Sequence, residues 1–266
     1  SSYGTAQQLI ALRHWVRDYS PDIVLLAFLP SNDVRNNSRK LESWKARPFF
    51  EIADAELRLD ASFRDDRDFQ DKKRSMADHA FLYELRLHQL MRRVRDGAYR
   101  GWNDAPAAAA AARGDASLGE AGIAERVYHP PSDADWLEAW KLTERLVHEI
   151  HREVNGIGAQ FMVLVLSSGA AVHPDRNVRQ RYAETIGVPD LFYPDRRIQA
   201  LGAARGFEVM PLGEPMQRVA EKTGAFLHGF GNTQIGFGHW NVRGHRAAAE
   251  LVAARFCNPP ERPTRR

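Results

Sequence analysis

One segment near the carboxyl end of the chain has the residue types of a general base held at the start of a helix. Gly238-His-Trp-Asn-Val-Arg-Gly-His245 lies where a glycine-rich loop meets the last predicted helix. A loop can direct the imidazole of His239 into a cleft and the helix would fix its position, as general-base catalysis requires. His245 lies further into the helix, where packing or capping is expected. A single histidine at a helix start is also commonly structural, so the segment alone leaves both roles open for His239.

A second segment, Ser31-Asn32-Asp33, follows a continuous apolar run over residues 23–29. Such a run is typical of a strand that is covered on both faces. In open α/β sheets, ligand sites lie beyond the carboxyl ends of the strands. The side-chain amide of Asn32 could therefore donate to the oxyanion of an acyl-transfer reaction. The alternative is a turn or cap, since Asn and Asp favour turns through local hydrogen bonds.

Strands that alternate with helices predict an α/β domain with a parallel sheet. Apolar strands are expected over 23–29, 161–166 and 207–212, and a hairpin within 49–59. Helices are expected over 6–19, 76–99, 175–185, 190–204, 214–223 and 242–256, with one more that starts at a Ser132 cap and buries Trp136, Trp140, Val147 and Ile150; residues 30–33 are expected to form a loop. Three strands would leave the central faces of a doubly wound sheet poorly covered. Either further strands escape the pattern, or amino-terminal strands are absent from this sequence.

Together with the opening Ser2-Tyr-Gly-Thr5, these segments resemble, in chain order, blocks of the SGNH (GDSL-type) hydrolase superfamily of esterases and acyltransferases. The opening is similar to the end of the family's glycine block. Ser31-Asn32-Asp33 is similar to the Gly-Asn-Asp block. The segment from His239 to His245 is similar to the family's His-Pro-Asn-x-x-Gly-His block.

The resemblance implies a three-layer α/β/α domain with a mostly parallel, flavodoxin-like sheet. It also implies ester hydrolysis, with His239 as the catalytic base and with the Asn32 amide and a backbone N–H of Gly4 or Ser2 as oxyanion donors. No cofactor or metal is expected, the substrate would be a small-molecule, lipid or carbohydrate ester, and an extracytoplasmic location is favoured. Two other functions stay open: a carbohydrate O-acetyltransferase of the same superfamily, and a non-catalytic binding module.

The sequence departs from the family in two places. The family's nucleophile lies in a Gly-Asp-Ser block upstream of the glycine block, and no Gly-Asp-Ser occurs here. We therefore expect residues 1–266 to be a single incomplete domain, with the nucleophilic serine and the first strands preceding Ser1. The family's Asp, three residues before the histidine, is replaced by Gly236. A backbone carbonyl could orient the imidazole instead, giving a Ser-His dyad, or a carboxylate from elsewhere could do so.

Other candidate sites have weaker patterns. Ser167-Ser168 ends the second predicted strand, but no Gly-x-Ser-x-Gly elbow surrounds it, so a loop role is expected. His148 and His151 are three residues apart on a helix, and a zinc site there lacks an evident third ligand. No phosphate-binding Gly-x-x-x-x-Gly-Lys-Ser/Thr is present.

The composition is that of a globular protein, and it argues against a nucleic-acid-binding, membrane-spanning or disulfide-bonded protein. The 266 residues are 44% hydrophobic, and 37 basic against 34 acidic side chains leave a formal net charge of +3. The basic residues form no concentrated stripe, so nucleic acid is not an expected partner. No apolar run approaches the roughly 20 residues that span a bilayer, and a single cysteine, Cys257, excludes an internal disulfide. Residues 39–131 are predicted to be a lid-like insertion that includes a low-complexity segment, 104–119.

Overall fold

A three-stranded parallel sheet is the centre of the fold, as the alternating pattern of the sequence predicts. Its strands are β1 (Ile23–Phe28), β4 (Gln160–Val165) and β5 (Glu208–Pro211), paired in the order β1-β4-β5. A separate antiparallel hairpin joins β2 (Phe49–Ala53) to β3 (Glu56–Asp60). This is a mixed α/β fold compatible with three layers. The computed structural model describes residues 3–78, 85–87, 89–91, 93–95, 124–230 and 234–257.

Helices connect the strands and pack on the sheet. They are α1 (Thr5–His14), α2 (Pro30–Asn37), α3 (Arg67–Asp78), α4 (Ala134–Gly156), α5 (Arg176–Ile186), α6 (Tyr193–Arg205), α7 (Gly213–Thr223) and α8 (Val242–Cys257). Single 3-10 turns lie at Val16–Tyr19, Ser62–Asp65 and Glu125–Tyr128. Within the described ranges, no helix combines the length and the apolar composition that crossing a membrane requires.

The register of β1 and β4 brings their carboxyl ends side by side. The two strands pair in parallel from Ile23 opposite Gln160 to Phe28 opposite Val165. The pairing continues beyond the strands, where the Leu166 N–H donates to the Phe28 carbonyl (2.8 Å). The segments that follow the two strands therefore start at the same edge of the sheet, the edge where α/β proteins place their ligand sites.

One face of the sheet is buried under α4. Phe161, Val163 and Val165 of β4 point to this face, where His151 of α4 stacks on Phe161 with ring centroids 5.6 Å apart. Their neighbour in β1, Leu26, shares the face and is 4% exposed. The helix residues predicted to be buried, Trp136, Trp140, Val147 and Ile150, are all buried. Full burial of each large apolar side chain contributes roughly 1.5–3 kcal/mol relative to exposure.

The opposite face of the sheet is covered over β5 but open over β1. Arg255 of α8 forms an ion pair with Glu208 (2.5 Å), which is in register with Met162 on this face. Ile23 and Leu25 of β1 lie on the same face, and each is 40% exposed. The second helical layer therefore stops short of the edge strand β1, whereas the central strand β4, whose faces were expected to be poorly covered, has Met162 and Val163 buried on its two faces.

Two local predictions are wrong. Residues 30–33 begin α2 instead of forming a loop, because Pro30 has no N–H to lose and its fixed φ suits the first turn of a helix. The cap of α4 is Asp133 instead of Ser132. The Asp133 side chain accepts the Trp136 N–H (2.9 Å), and both residue types are good caps, so composition alone does not separate neighbours.

The segment 39–131, predicted to be a lid-like insertion, is described in part. The hairpin expected within 49–59 is confirmed, and Phe50 on it is buried in the main core. This part of the segment is thus anchored to the domain. Half of the helix expected over 76–99 is described, and residues 76–78, 86–87, 89–91 and 93–95 are helical. The other half and all of the low-complexity segment 104–119 lie outside the described residues.

We expect the two leucines in the middle of β1 to respond differently to a charge. Leu25→Lys places an ammonium on the open face and should change the free energy of unfolding by no more than about 0.5 kcal/mol. Leu26→Lys buries an unpaired charge and should cost about 3 kcal/mol or more. Urea denaturation of the two variants measures the difference. Equal losses would mean that the Leu25 face is covered in solution.

Candidate functional site

The start of α2 holds Asn32 at the carboxyl end of β1. The Asp33 carboxylate anchors this turn, because it accepts the Leu29 N–H (2.7 Å) and the Thr5 hydroxyl of α1 (3.2 Å). Burial raises the pKa of Asp33 to about 7, although these hydrogen bonds oppose the rise. The Asn32 side chain is half-buried and has no hydrogen-bond partner among the described residues. Its amide is therefore free to donate to a bound oxygen.

His239 lies in the loop before α8 (residues 234–241, the His239 loop). The Gly229 N–H donates to the His239 carbonyl (2.9 Å), beside an isolated antiparallel bridge between His228 and Trp240. The imidazole of His239 is exposed, and no residue in the described ranges forms a hydrogen bond with it. The backbone is thus fixed while the side chain stays available for proton transfer.

Ser167, just after β4, connects the two segments. Its Oγ accepts a hydrogen bond from the indole N–H of Trp240 (2.9 Å), the residue after His239. Ser167 also lines, together with Ser31, a small cavity of about 10 Å³ next to the ends of β1 and β4. The structure therefore brings the start of the Asn32 helix and the His239 loop to one edge of the sheet.

The predicted backbone donor at Gly4 already has a partner. Its N–H donates to the Gln7 side-chain oxygen (2.9 Å) in the capping turn of α1, so this amide is not available to an oxyanion. A Cβ at this position would lie 2.9 Å from Asn37 Oδ1, so the close approach of α2 requires glycine here. The other predicted donor, Ser2, lies outside the described residues.

The backbone at Gly236 explains the lack of an acidic residue there. Its φ is +91°, in the left-handed region that favours glycine. A Cβ would also lie 3.0 Å from Cδ2 of His173. In the described part of the chain no other carboxylate hydrogen-bonds His239 in its place. The imidazole is therefore not oriented by an acid, as it would be in a Ser-His-Asp triad.

A buried histidine that the sequence analysis missed lies behind the His239 loop. His228 Nδ1 is 2.6 Å from the Gly238 carbonyl, so this nitrogen carries the proton. Its Nε2 accordingly accepts the Ser167 hydroxyl (3.1 Å). Burial lowers the pKa of His228 to about 4, so the imidazole is neutral near pH 7. A histidine after the short apolar pair Phe226-Leu227 carries no pattern that indicates these partners.

The hydroxyl of Ser167 is enclosed. Besides His228 Nε2 and Trp240 Nε1, the sulfur of Met216 lies 3.5 Å from its Oγ, and the residue is 5% exposed. The hydroxyl of the next residue, Ser168, accepts the Tyr128 hydroxyl (2.8 Å). Both serines thus have structural partners, in agreement with the loop role expected of them.

The small cavity contains two polar atoms that lack a hydrogen-bond partner among the described residues, Ser31 Oγ and Asp195 Oδ1. Burial raises the pKa of Asp195 to about 7. A carboxylate that is buried without full hydrogen bonding is destabilised in its charged form, and protonation removes that penalty. Asp195 is therefore the second buried acid, after Asp33, that is partly neutral near pH 7.

The other histidines that the sequence analysis considered, His148, His151 and His245, have structural contacts in the described part of the chain. His148 and His151 have ring centroids 6.1 Å apart, and the described residues contain no group of three side chains that could hold a metal ion. His151 lies near the amino end of β4, away from the candidate site. His245 contacts Trp240 edge-on at 5.6 Å, which agrees with the packing role expected of it.

The candidate site thus consists of a half-buried amide and an exposed imidazole on two segments that meet at one end of the parallel sheet. Such a pair can bind an oxygen and move a proton. The chain matches no protein-family model, and no curated protein or solved structure is similar to it. The residues described above therefore carry the functional inference.

We expect Asp195 to make the protein less stable as the pH rises. Its pKa is 3.8 in an ordinary setting and about 7 in the fold, so between these values the native state binds a proton that the unfolded chain lacks. Asp195 should contribute a fall in stability of up to about 1.4 kcal/mol per pH unit in this window, in addition to the similar contribution of Asp33, whose pKa is also about 7. Asp195→Asn should remove this component, as measured by urea denaturation from pH 4.5 to 8.

The matched control is Glu214→Gln, which removes an exposed carboxyl near Asp195. It should leave most of the slope in place. If Asp195→Asn has the same pH profile as the native chain, the carboxyl of Asp195 is ionised in the fold and the assignment is wrong.

Proposed function

We propose that this chain is the greater part of an SGNH-type ester hydrolase in which Asn32 binds the oxyanion and His239 transfers the proton. The serine nucleophile would belong to a segment of the polypeptide outside these 266 residues, since the sequence contains no Gly-Asp-Ser. One observation supports the proposal above the others. The segments that carry Asn32 and His239 meet next to Ser167 at one end of the sheet, and neither side chain has a hydrogen-bond partner among the described residues.

The setting of Asn32 suits an oxyanion donor. Its amide is half-buried and has no hydrogen-bond partner among the described residues, so it can donate to a substrate oxygen in place of water. The backbone beneath it is held by the buried Asp33, which ties α2 to Leu29 and to Thr5. A donor that is fixed before the substrate arrives costs no reorganisation when negative charge develops on the carbonyl oxygen.

In the proposed reaction His239 first accepts a proton from the serine and then donates it to the leaving alcohol. The serine Oγ forms a bond to the acyl carbon while its proton passes to the imidazole, and the carbonyl oxygen becomes an oxyanion that accepts from Asn32 Nδ2. When this intermediate collapses, the bond to the alcohol oxygen breaks and the alcohol leaves with the proton from His239. Water then attacks the acyl-serine by the same route and releases the acid and the free serine.

The open face and the unpaired edge of β1 are consistent with a further segment that packs there in the intact polypeptide. Ile23 and Leu25 are exposed apolar residues on a strand that is paired with β4 on one side only, within the described part of the chain. Exposed strands of this kind are usually covered, because their apolar surface and free backbone groups promote aggregation. A further parallel strand beside β1 would end at the same edge as Asn32, which is where the serine is needed.

A second candidate places the nucleophile within this chain, at Ser167. The observation in its favour is the Ser167–His228 hydrogen bond of 3.1 Å, with the imidazole oriented by the Gly238 carbonyl (2.6 Å). This is the arrangement of a Ser-His dyad. Against it, the Ser167 hydroxyl is 5% exposed and the adjoining cavity of about 10 Å³ is far too small for an acyl group. We therefore favour His239 as the base.

In the intact polypeptide, Asn32→Ala should lower kcat/KM for a p-nitrophenyl ester by about 10²–10³-fold, the usual loss for one oxyanion donor. His239→Ala should lower it further, because the proton has no acceptor. The control is Asn177→Ala, which removes an exposed amide on α5 and should leave the rate unchanged. A folded Asn32→Ala variant that hydrolyses the ester at the native rate would exclude Asn32 as the donor.

The 266-residue chain should not react with a fluorophosphonate probe, because Ser167 is enclosed and the proposed nucleophile is not in the sequence. Intact-mass spectrometry before and after incubation measures this, with the heat-denatured chain as the background control. Stoichiometric labelling that is mapped to Ser167 and lost in Ser167→Ala would show that the second candidate is correct.

A further inference from the structure

The residues on either side of His239 are bound to the same buried pair of side chains. His228 donates from Nδ1 to the carbonyl of Gly238 (2.6 Å), immediately before His239. Ser167 accepts from the indole N–H of Trp240 (2.9 Å), immediately after His239. The two side chains are bound to each other through the Ser167 hydroxyl and His228 Nε2 (3.1 Å). Both are almost fully buried, at 5% and 2% exposure.

The chemistry of the partners gives a direction to each of these hydrogen bonds. A carbonyl only accepts, so His228 Nδ1 must carry a proton, and in a neutral ring Nε2 is then an acceptor. The Ser167 hydroxyl has two acceptors in reach, Nε2 at 3.1 Å and the weakly accepting sulfur of Met216 at 3.5 Å, and we assign its hydrogen to Nε2, which leaves its lone pairs for the Trp240 N–H. Each polar hydrogen in this chain of contacts has an acceptor, and satisfied buried networks rigidify the segments that they join.

The network also connects the His239 loop to the sheet. Ser167 comes two residues after β4, and the Leu166 N–H between them donates to the carbonyl of Phe28 at the end of β1 (2.8 Å). The same β1 end continues into the turn that carries Asn32. Movement of His239 relative to Asn32 thus requires breaking at least one contact of this short chain.

We propose that Ser167 and His228 are positioning residues that hold the backbone of His239 in register with the carboxyl end of β4. In a Ser-His-Asp triad a carboxylate orients the imidazole ring directly. Here the left-handed backbone at Gly236 excludes an acid, and the loop is held from behind through its backbone and through Trp240. The catalytic consequence rests on the proposed function, whereas the positioning itself is a property of the present chain.

Amide hydrogen exchange of Gly229 measures the positioning directly, because its N–H donates to the His239 carbonyl. In the 266-residue chain, His228→Ala should raise the Gly229 exchange rate by about tenfold, the effect of losing one hydrogen bond of ordinary strength. Ser167→Ala should raise it by a smaller factor. His228→Asn should stay within about threefold of the native rate, because the Asn Nδ2 can take the place of Nδ1 as donor to Gly238.

The matched control is His151→Ala, which removes another buried histidine from the other end of β4. It should destabilise the fold without a change in Gly229 exchange. A long-range ¹H–¹⁵N spectrum of the native chain should show His228 protonated on Nδ1 at pH 7. Unchanged Gly229 exchange in His228→Ala, equal exchange in the Ala and Asn variants, or a proton on Nε2 would each overturn the proposal.

The catalytic consequence is tested in the intact polypeptide. His228→Ala should lower kcat by up to about 10²-fold with KM unchanged, as expected when a catalytic group is misplaced by a fraction of an ångström or more, and His228→Asn should recover most of the loss. If the native polypeptide hydrolyses no ester, the proposed function fails while the exchange data still decide the positioning. If it is active and His228→Ala keeps the native kcat, the positioning role in catalysis is wrong.

Discussion

The parallel pairing of β1 with β4 is the constraint on which the candidate site depends. The strands run in step to their last pair, Phe28 opposite Val165, so α2 and Ser167 start from the same edge. Asn32 and His239 lie far apart in the sequence, and they share an edge only because both segments are tied to these two strand ends. A slip of one residue would turn every side chain of β1 to the other face, so burial of Leu26 against exposure of Leu25 protects the register.

Three titratable groups next to the site, of which Asp33 and His228 hold its segments, are buried in neutral or partly neutral forms. Burial raises the pKa of Asp33 and of Asp195 to about 7, and it lowers the pKa of His228 to about 4. Charge in these positions would be costly, since the interior does not replace the hydration that it removes. Such perturbed groups are common in functional sites, although ion-pair networks produce them too. Here they cluster at the edge of the sheet where Asn32 and His239 lie.

The elements with strong periodicity could be predicted from the sequence, and their exact starts could not. The strands of the parallel sheet and the hairpin follow from apolar runs between turn residues, because burial acts on residues that are adjacent in sequence. The start of α2 depends on a carboxylate, Asp33, that bonds both to Leu29 and to Thr5 of another helix. The sequence indicates Asn32 and His239 as candidates because each lies next to such an element. Gly4 was assigned an open amide that its own helix cap uses.

His228 could not be predicted, because everything that defines it is distant in sequence. Its partner Ser167 is 61 residues away, and its other partner is a backbone carbonyl, which no side-chain pattern reveals. No acid is present at position 236, and the His239 loop is instead held through its backbone and Trp240, which has a consequence for the imidazole. Holding a loop by its backbone leaves the imidazole of His239 free to rotate about its side-chain bonds. In the proposed reaction its final orientation must therefore come from the serine that it deprotonates, once that hydroxyl lies within hydrogen-bond distance.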